Sequence, residues 1–144
     1  VTADAATQPA YDRAAPLKAV DSYVVEQTTD GLEITARLRV VAGQATTRGH
    51  FPRLAVLPGV FVIEAAGQAL ALAVDRAGGA PTVLRRLRSV RFLAPFLDGD
   101  ELTLRLTTTP QPTGWLVRGE GVRADGVVAA RLRAEFGAQE QAHA

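Results

Sequence analysis

Apolar residues partly alternate with polar ones from Leu17 to Gln27 and again from Leu32 to Val41, and both stretches are rich in β-branched side chains. That period-two pattern predicts two strands. Between them stands Thr28-Thr29-Asp30-Gly31, whose Asp-Gly pair is a strong hairpin signal. The alternation stops from Ala42 to Leu57, a stretch of Gly, Thr and Pro that reads as a loop. Pro58-Gly59 then opens an apolar run that continues to about Ala77 and is stopped by Gly78-Gly79 and Pro81. Proline near the start and glycine past the end predict one helix. Four more strand patterns follow: Thr82 to Leu93, Glu101 to Thr109, Trp115 to Arg123 and Val127 to Phe136. Their connections, Pro95 to Asp100, Pro110 to Gly114 and Ala124-Asp125-Gly126, are short, so neighbouring strands are expected to be antiparallel.

The helix is apolar nearly all round, which predicts burial on most sides. A membrane span over Leu54 to Val74 is disfavoured by Pro58, Gly59, Gly67, Gln68 and the lone charge Glu64. Its alanines and Gly67 are expected to let strands approach the backbone closely. One long helix wrapped by a curved antiparallel sheet of about six strands is an α+β arrangement, the hot-dog fold. An open sheet leaves edges, so pairing with a second copy is expected. The domain is expected over residues 16–137, with tails at 1–15 and 138–144. Val1 to Ala15 lacks the charged start and apolar run of a signal peptide, which favours a cytoplasmic protein.

Composition narrows the chemistry. At 144 residues the chain fits one domain with a proper core. A formal net charge of +1 gives no global field for nucleic acid or a membrane surface. The absence of cysteine removes disulfides, thiolate nucleophiles and Cys-based metal sites. Only His50 and His143 are histidines, so a His-rich metal site is not expected. Lys18 is the only lysine; the remaining basic residues are arginines.

Two ionisable residues stand out. His50, between Gly49 and Pro52, is held by a constrained backbone, and its ordinary pKa suits a neutral base near pH 7. Glu64 lies about one and a half turns into the apolar helix, where desolvation is expected to favour the protonated form and a general-acid role. Gln68, at i+4, shares its face and is placed to hold the carboxyl. Helical side chains lean toward the N-terminus, so Glu64 is expected to point back toward Pro58-Gly59. The Gly59 N–H and its neighbours at the helix start suit a developing enolate oxygen. Base, oxyanion site and acid together fit loss of water from a 3-hydroxyacyl thioester, which needs no metal or redox cofactor. Singly each has a plainer reading: a loop histidine is more often structural, Pro-Gly is often only a cap, and Glu64 fits an interface salt bridge.

The joint spacing is more specific. His50-Phe51-Pro52, Leu57-Pro58-Gly59-Val60, Ile63-Glu64-Ala65 and Gln68 resemble the FabZ-type 3-hydroxyacyl-[acyl-carrier-protein] dehydratases. Val90-Arg91-Phe92 with Pro95 and Gly99-Asp100, and Asp125-Gly126-Val127-Val128-Ala129, resemble that family's later strand, turn and last hairpin. Pro16 to Asp21 is a weaker match, so the likeness covers roughly Pro16 to Phe136. The chain departs from the family at Arg13-Ala14-Ala15, at Thr46-Thr47, and at Arg53, Ala55 and Leu57 within the motif loop. These changes leave the acid–base pair intact and mark a diverged, pathway-specific member.

The resemblance implies dehydration of a (3R)-3-hydroxyacyl group on an acyl carrier protein, carried by phosphopantetheine, to the trans-2-enoyl thioester, in fatty-acid or polyketide synthesis. His50 and Glu64 would be catalytic and would meet across a dimer interface, with Gly59, Val60, Gln68, Phe51 and Phe92 around the substrate. The partners implied are the carrier and a second hot-dog chain, the same or different, with no nucleic acid and no membrane. An acyl thioesterase on the same fold, or a partner-dependent subunit, is the alternative. A basic face at Arg86 and Arg88, or at Arg53, is a candidate carrier dock; strict alternation would set Arg85 and Arg91 on the other face.

Overall fold

A computed structural model describes residues 18–40, 59–97 and 99–139. His50, Phe51 and Arg53, the tail predicted at 1–15 and residues 140–144 lie outside them, whereas Ala138, placed in the C-terminal tail from the pattern, is the last residue of a strand. The elements are β1 (Ser22–Gln27), β2 (Leu32–Arg39), α1 (Val60–Arg76), β3 (Thr82–Phe92), β4 (Glu101–Gln111), β5 (Gly114–Val122) and β6 (Val128–Ala138). All six strands form one sheet, in the order β1-β2-β4-β5-β6-β3, and every pairing is antiparallel. This is the one-helix, six-strand arrangement expected from the chain pattern.

Alternation explains the core. Ile34, Ala36 and Leu38 of β2, Leu102, Leu104 and Leu106 of β4, Val117 of β5 and Leu132, Ala134 and Phe136 of β6 are buried. They meet a helix stripe of Val62, Ala65, Ala66, Ala69, Leu70, Ala73 and Val74, whose i, i+3, i+4 spacing puts them on one side of α1. The opposite side, from Phe61 through Glu64, Gly67 and Gln68 to Leu72, is only half-buried, so the single chain covers less of the helix than its composition predicts. The closeness expected at Gly67 is not demanded there, because an added Cβ would meet Phe136 at 3.5 Å, an ordinary contact. Space is tight at Gly119 instead, where a Cβ would fall 2.9 Å from Leu106.

The helix ends as its glycines predict. Gly78 has φ +81°, the Gly79 N–H bonds the Val74 carbonyl at 2.9 Å, and the Gly78 N–H bonds that of Asp75 at 2.9 Å. This is a Schellman closure. No helix among the described residues is long and apolar enough to cross a membrane.

Strand β3 departs from the alternation assumed above. Its register against β6 shifts twice, between Leu84 and Arg86 and between Leu87 and Ser89, leaving Arg85 and Arg88 as extra residues. Leu84, Leu87, Val90 and Phe92 therefore oppose Phe136, Ala134, Leu132 and Ala130, all on the helix side. Arg86, Ser89 and Arg91 fall together on the outer side, opposite Glu135, Arg133 and Arg131. Strict alternation would have set Arg86 and Arg88 beneath the sheet with Leu84. The two bulges keep the apolar residues, spaced three apart, on one face.

Candidate active site

The site is built at the start of α1. Gly59 occupies the cap position with φ −55° and ψ −33°, and its carbonyl accepts the Val62 N–H at 3.0 Å. Among the described residues no side chain caps this end and no acid occupies the first turn. A helix start carries backbone N–H groups without intrahelical acceptors, so it favours a partial negative charge. The Phe92 ring, at the end of β3, lies directly against Gly59: an added Cβ would be 2.8 Å from Cζ and 2.9 Å from both Cε atoms. Glycine at this position lets an aromatic ring rest on the helix backbone. Phe92 is 52% exposed and Val60 64% exposed, so the helix start opens onto an apolar surface.

Glu64 lies one turn beyond Val60, half-buried. Its Oε1 accepts a hydrogen bond from Gln68 Nε2 at 3.0 Å, while Gln68 Oε1 accepts the Ala19 N–H at 2.8 Å. A backbone N–H only donates, so it fixes which end of the Gln68 amide faces the glutamate. The amide then presents its NH2 to Glu64, and Oε1 must accept. Oε2 makes no hydrogen bond among the described residues. Ala19 is fully buried just before β1 and anchors this relay to the core. The i+4 spacing pointed to the Glu64–Gln68 contact; the Ala19 amide, a backbone group, left no signal in the sequence.

Two further matched motifs hold the surrounding chain. The Asp100 carboxylate accepts the Leu97 N–H at 2.7 Å and closes the turn before β4. In the same turn the Asp100 carbonyl accepts the Val40 N–H at 2.9 Å, and the Gly99 N–H bonds the Val40 carbonyl at 2.9 Å. Val40 is the last described residue before the segment that carries His50, and the Gly99-Asp100 turn holds Val40 in place. At the β5–β6 turn, Asp125 accepts from Arg123 at 2.5 Å and from the Val127 N–H at 3.1 Å. The hydrogen bond from Arg123, with that from Val127, holds the Asp125 carboxyl below its ordinary range and raises the Arg123 guanidinium in turn.

The structure thus brings Gly59 to Phe92, with Val60 beside it, and Glu64 to Gln68.

The ApeI-like dehydratase model matches residues 26–122. The chain belongs to the ApeI-like dehydratase family. It is also 37% identical over 118 residues to a 3-hydroxyacyl-[acyl-carrier-protein] dehydratase FabZ of Anaeromyxobacter dehalogenans, covering 73% of this chain and 74% of the relative. A FabZ of Nitrosomonas europaea is 34% identical over 119 residues, covering 78% and 76%. Among solved structures it is similar to the dehydratase heterocomplex ApeI:P of Xenorhabdus doucetiae, with a TM-score of 0.56 and 22% identity over 79% of this chain and 94% of that one. A hypothetical thioesterase with coenzyme A from Streptococcus pneumoniae gives a TM-score of 0.63 at 18% identity, covering 85% and 90%. At these identities the solved structures establish the hot-dog fold alone, and the FabZ resemblance read from the motifs is borne out by the family match.

Proposed function

We propose that this ApeI-like chain removes water from a (3R)-3-hydroxyacyl thioester held on an acyl carrier protein, giving the trans-2-enoyl thioester. The observation that carries the reading is the Glu64 carboxyl, anchored through one oxygen by Gln68 and Ala19 and presenting the other. His50 takes the C2 proton as base. The electron pair moves onto the thioester oxygen, which the N–H groups at the Gly59 helix start stabilise. Glu64 delivers a proton from Oε2 to the C3 hydroxyl, the C–O bond breaks, and water leaves as the C2–C3 double bond forms. Val60, Phe92 and Phe51 give the acyl chain an apolar lining. The FabZ resemblance implies that His50 and Glu64 of one site come from two different chains.

The edge of β3 supports such an assembly. Leu84, Leu87 and Phe92 on its helix-side face are 39%, 38% and 52% exposed in the single chain, more apolar surface than an isolated edge strand should present. The second chain is a copy of this one or a different hot-dog chain; the related ApeI of Xenorhabdus doucetiae occurs in a heterocomplex, which favours keeping the second arrangement in the test.

The deciding experiment incubates the purified chain, alone, with a 3-hydroxyacyl carrier-protein substrate and weighs the product. Loss of one water supports the proposal, release of a free acid supports a thioesterase, and no change until a second hot-dog chain is added supports the partner-dependent subunit. His50→Ala and Glu64→Gln are each expected to lower turnover about a hundredfold or more with the fold intact. Near-normal turnover in either folded variant removes that residue from the mechanism.

A further inference from the structure

The outer face of the sheet carries a charge pattern that the active site does not use. The register aligns Arg105, Glu120, Arg131 and Arg91 in one row across β4, β5, β6 and β3, and Thr107, Arg118, Arg133 and Ser89 in the next. Their neighbours Leu104, Leu106, Val117, Leu132 and Ala134 are buried toward the helix, so both rows point away from it. These side chains rim an open depression of about 510 Å3 that reaches down to Gly119 and Leu132. Arg118 directly opposes Arg133, and Arg91 directly opposes Arg131. Like charges set opposite each other work against a sheet. Only Arg131 has a carboxylate, that of Glu120 at 3.4 Å; among the described residues Arg91, Arg105, Arg118 and Arg133 have none. A chain of net charge +1 thus concentrates five arginines against one glutamate on a single patch.

We propose that this face docks a partner protein through an acidic segment, a contact that holds the dehydratase in an assembly and does not deliver substrate. Guanidinium forks match carboxylates in paired geometry, and the Thr107 and Ser89 hydroxyls extend the acid-free row at both ends. Four strands span roughly 15 Å, close to the width of one helix with its side chains, about 10–12 Å. Neither row carries an aromatic side chain on which nucleic-acid bases would stack, and Glu120 would face the phosphates. Nor does either row offer an apolar side chain to enter a lipid interface. A second copy of the same face would set arginines against arginines. Glu64 is on the other side of the sheet, so an acyl chain tethered to this partner would have the sheet between it and the acid. The proposal stands independently of the roles assigned to His50 and Glu64.

The test measures binding of the intact chain to poly-L-glutamate at low and at physiological ionic strength, beside duplex DNA and phosphatidylglycerol vesicles at matched charge. Salt-sensitive binding to poly-L-glutamate is expected, tenfold or more weaker in Arg118→Glu/Arg133→Glu, with dehydration unchanged on both a small thioester and the carrier-bound substrate. Arg39→Glu/Arg76→Glu makes the same change in net charge elsewhere and is expected to keep the binding. Arg118→Gln/Arg133→Gln serves if the reversed pair fails to fold. Equal loss in the Arg39/Arg76 variant, stronger binding to DNA or vesicles, or a selective fall in carrier-bound turnover on changing Arg118 and Arg133 would each overturn the proposal.

Discussion

Strands β1 and β3 both end the sheet, yet they are built on different plans. β1 is six residues long and pairs residue for residue with β2, its inward Tyr23 buried and its outward Val24 standing alone at 64% exposure. β3 is eleven residues long, pairs among the described residues with β6 alone, is bulged twice, and carries apolar residues 38–52% exposed on its helix-side face. A short edge limits the row of unpaired backbone groups it offers to strangers. A long edge with its apolar residues kept in line by bulges is suited to one particular neighbour. Identical position in a sheet therefore carries opposite consequences, and side-chain spacing decides which.

The largest effect should come from spoiling β3. Leu84→Asp with Leu87→Asp is expected to dissociate the assembly and to lower turnover at least a hundredfold, because the proposed site draws on two chains. Val24→Asp on β1 should change stability by no more than about 0.5 kcal/mol, as an isolated surface change does. Sedimentation and turnover measured together separate the two; an assembled, active β3 variant would remove β3 as the interface. A smaller effect is expected at the turns. Gly31→Ala, in the β1–β2 hairpin, would drive a methyl into the Thr108 carbonyl and is expected to cost about 2–3 kcal/mol in denaturant unfolding. Gly126→Ala, at φ +87° with open space around it, should cost only about 1–2 kcal/mol of backbone strain.

The smallest concerns Glu135, which braces the β3 bulges. The hydrogen bond from Arg88 at 3.2 Å, helped by the charges of Arg88 and Arg86 and opposed by desolvation, holds its carboxyl below the ordinary glutamate range. A carboxylate lowered on folding stabilises above its unfolded pKa, and the stabilisation fades as pH falls through the lowered value. Glu135→Gln should therefore lower Tm slightly at neutral pH and not at all in strong acid. An equal Tm deficit at both pH values would assign the effect to packing.

The strands and helix were legible because their apolar periods are clean, and observed boundaries agree with the pattern to within a few residues, apart from β1, which starts five residues after the patterned stretch. The Glu64–Gln68 contact followed from helical spacing. The β3 faces did not, since period-two counting fails at a bulge, although the three-residue spacing of Leu84, Leu87 and Val90 was the available clue. The outer arginine rows were illegible for another reason: they exist only because β6 lies between β5 and β3, and no local pattern records that order. His50 and Phe51 stand outside the described residues, so their contribution rests on the motif.

The strand order also bears on how the chain is made. β3 emerges from the ribosome before β4, β5 and β6, yet among the described residues its only ladder partner is β6, the last of them in the chain. During synthesis its backbone N–H and C=O groups lack that ladder partner until Val128 to Ala138 appear, and closing the pair requires a long loop to be gathered first. Formation of the β3–β6 pair should therefore come late, and a nascent chain stalled before β6 should be the form most prone to aggregate and most dependent on chaperones.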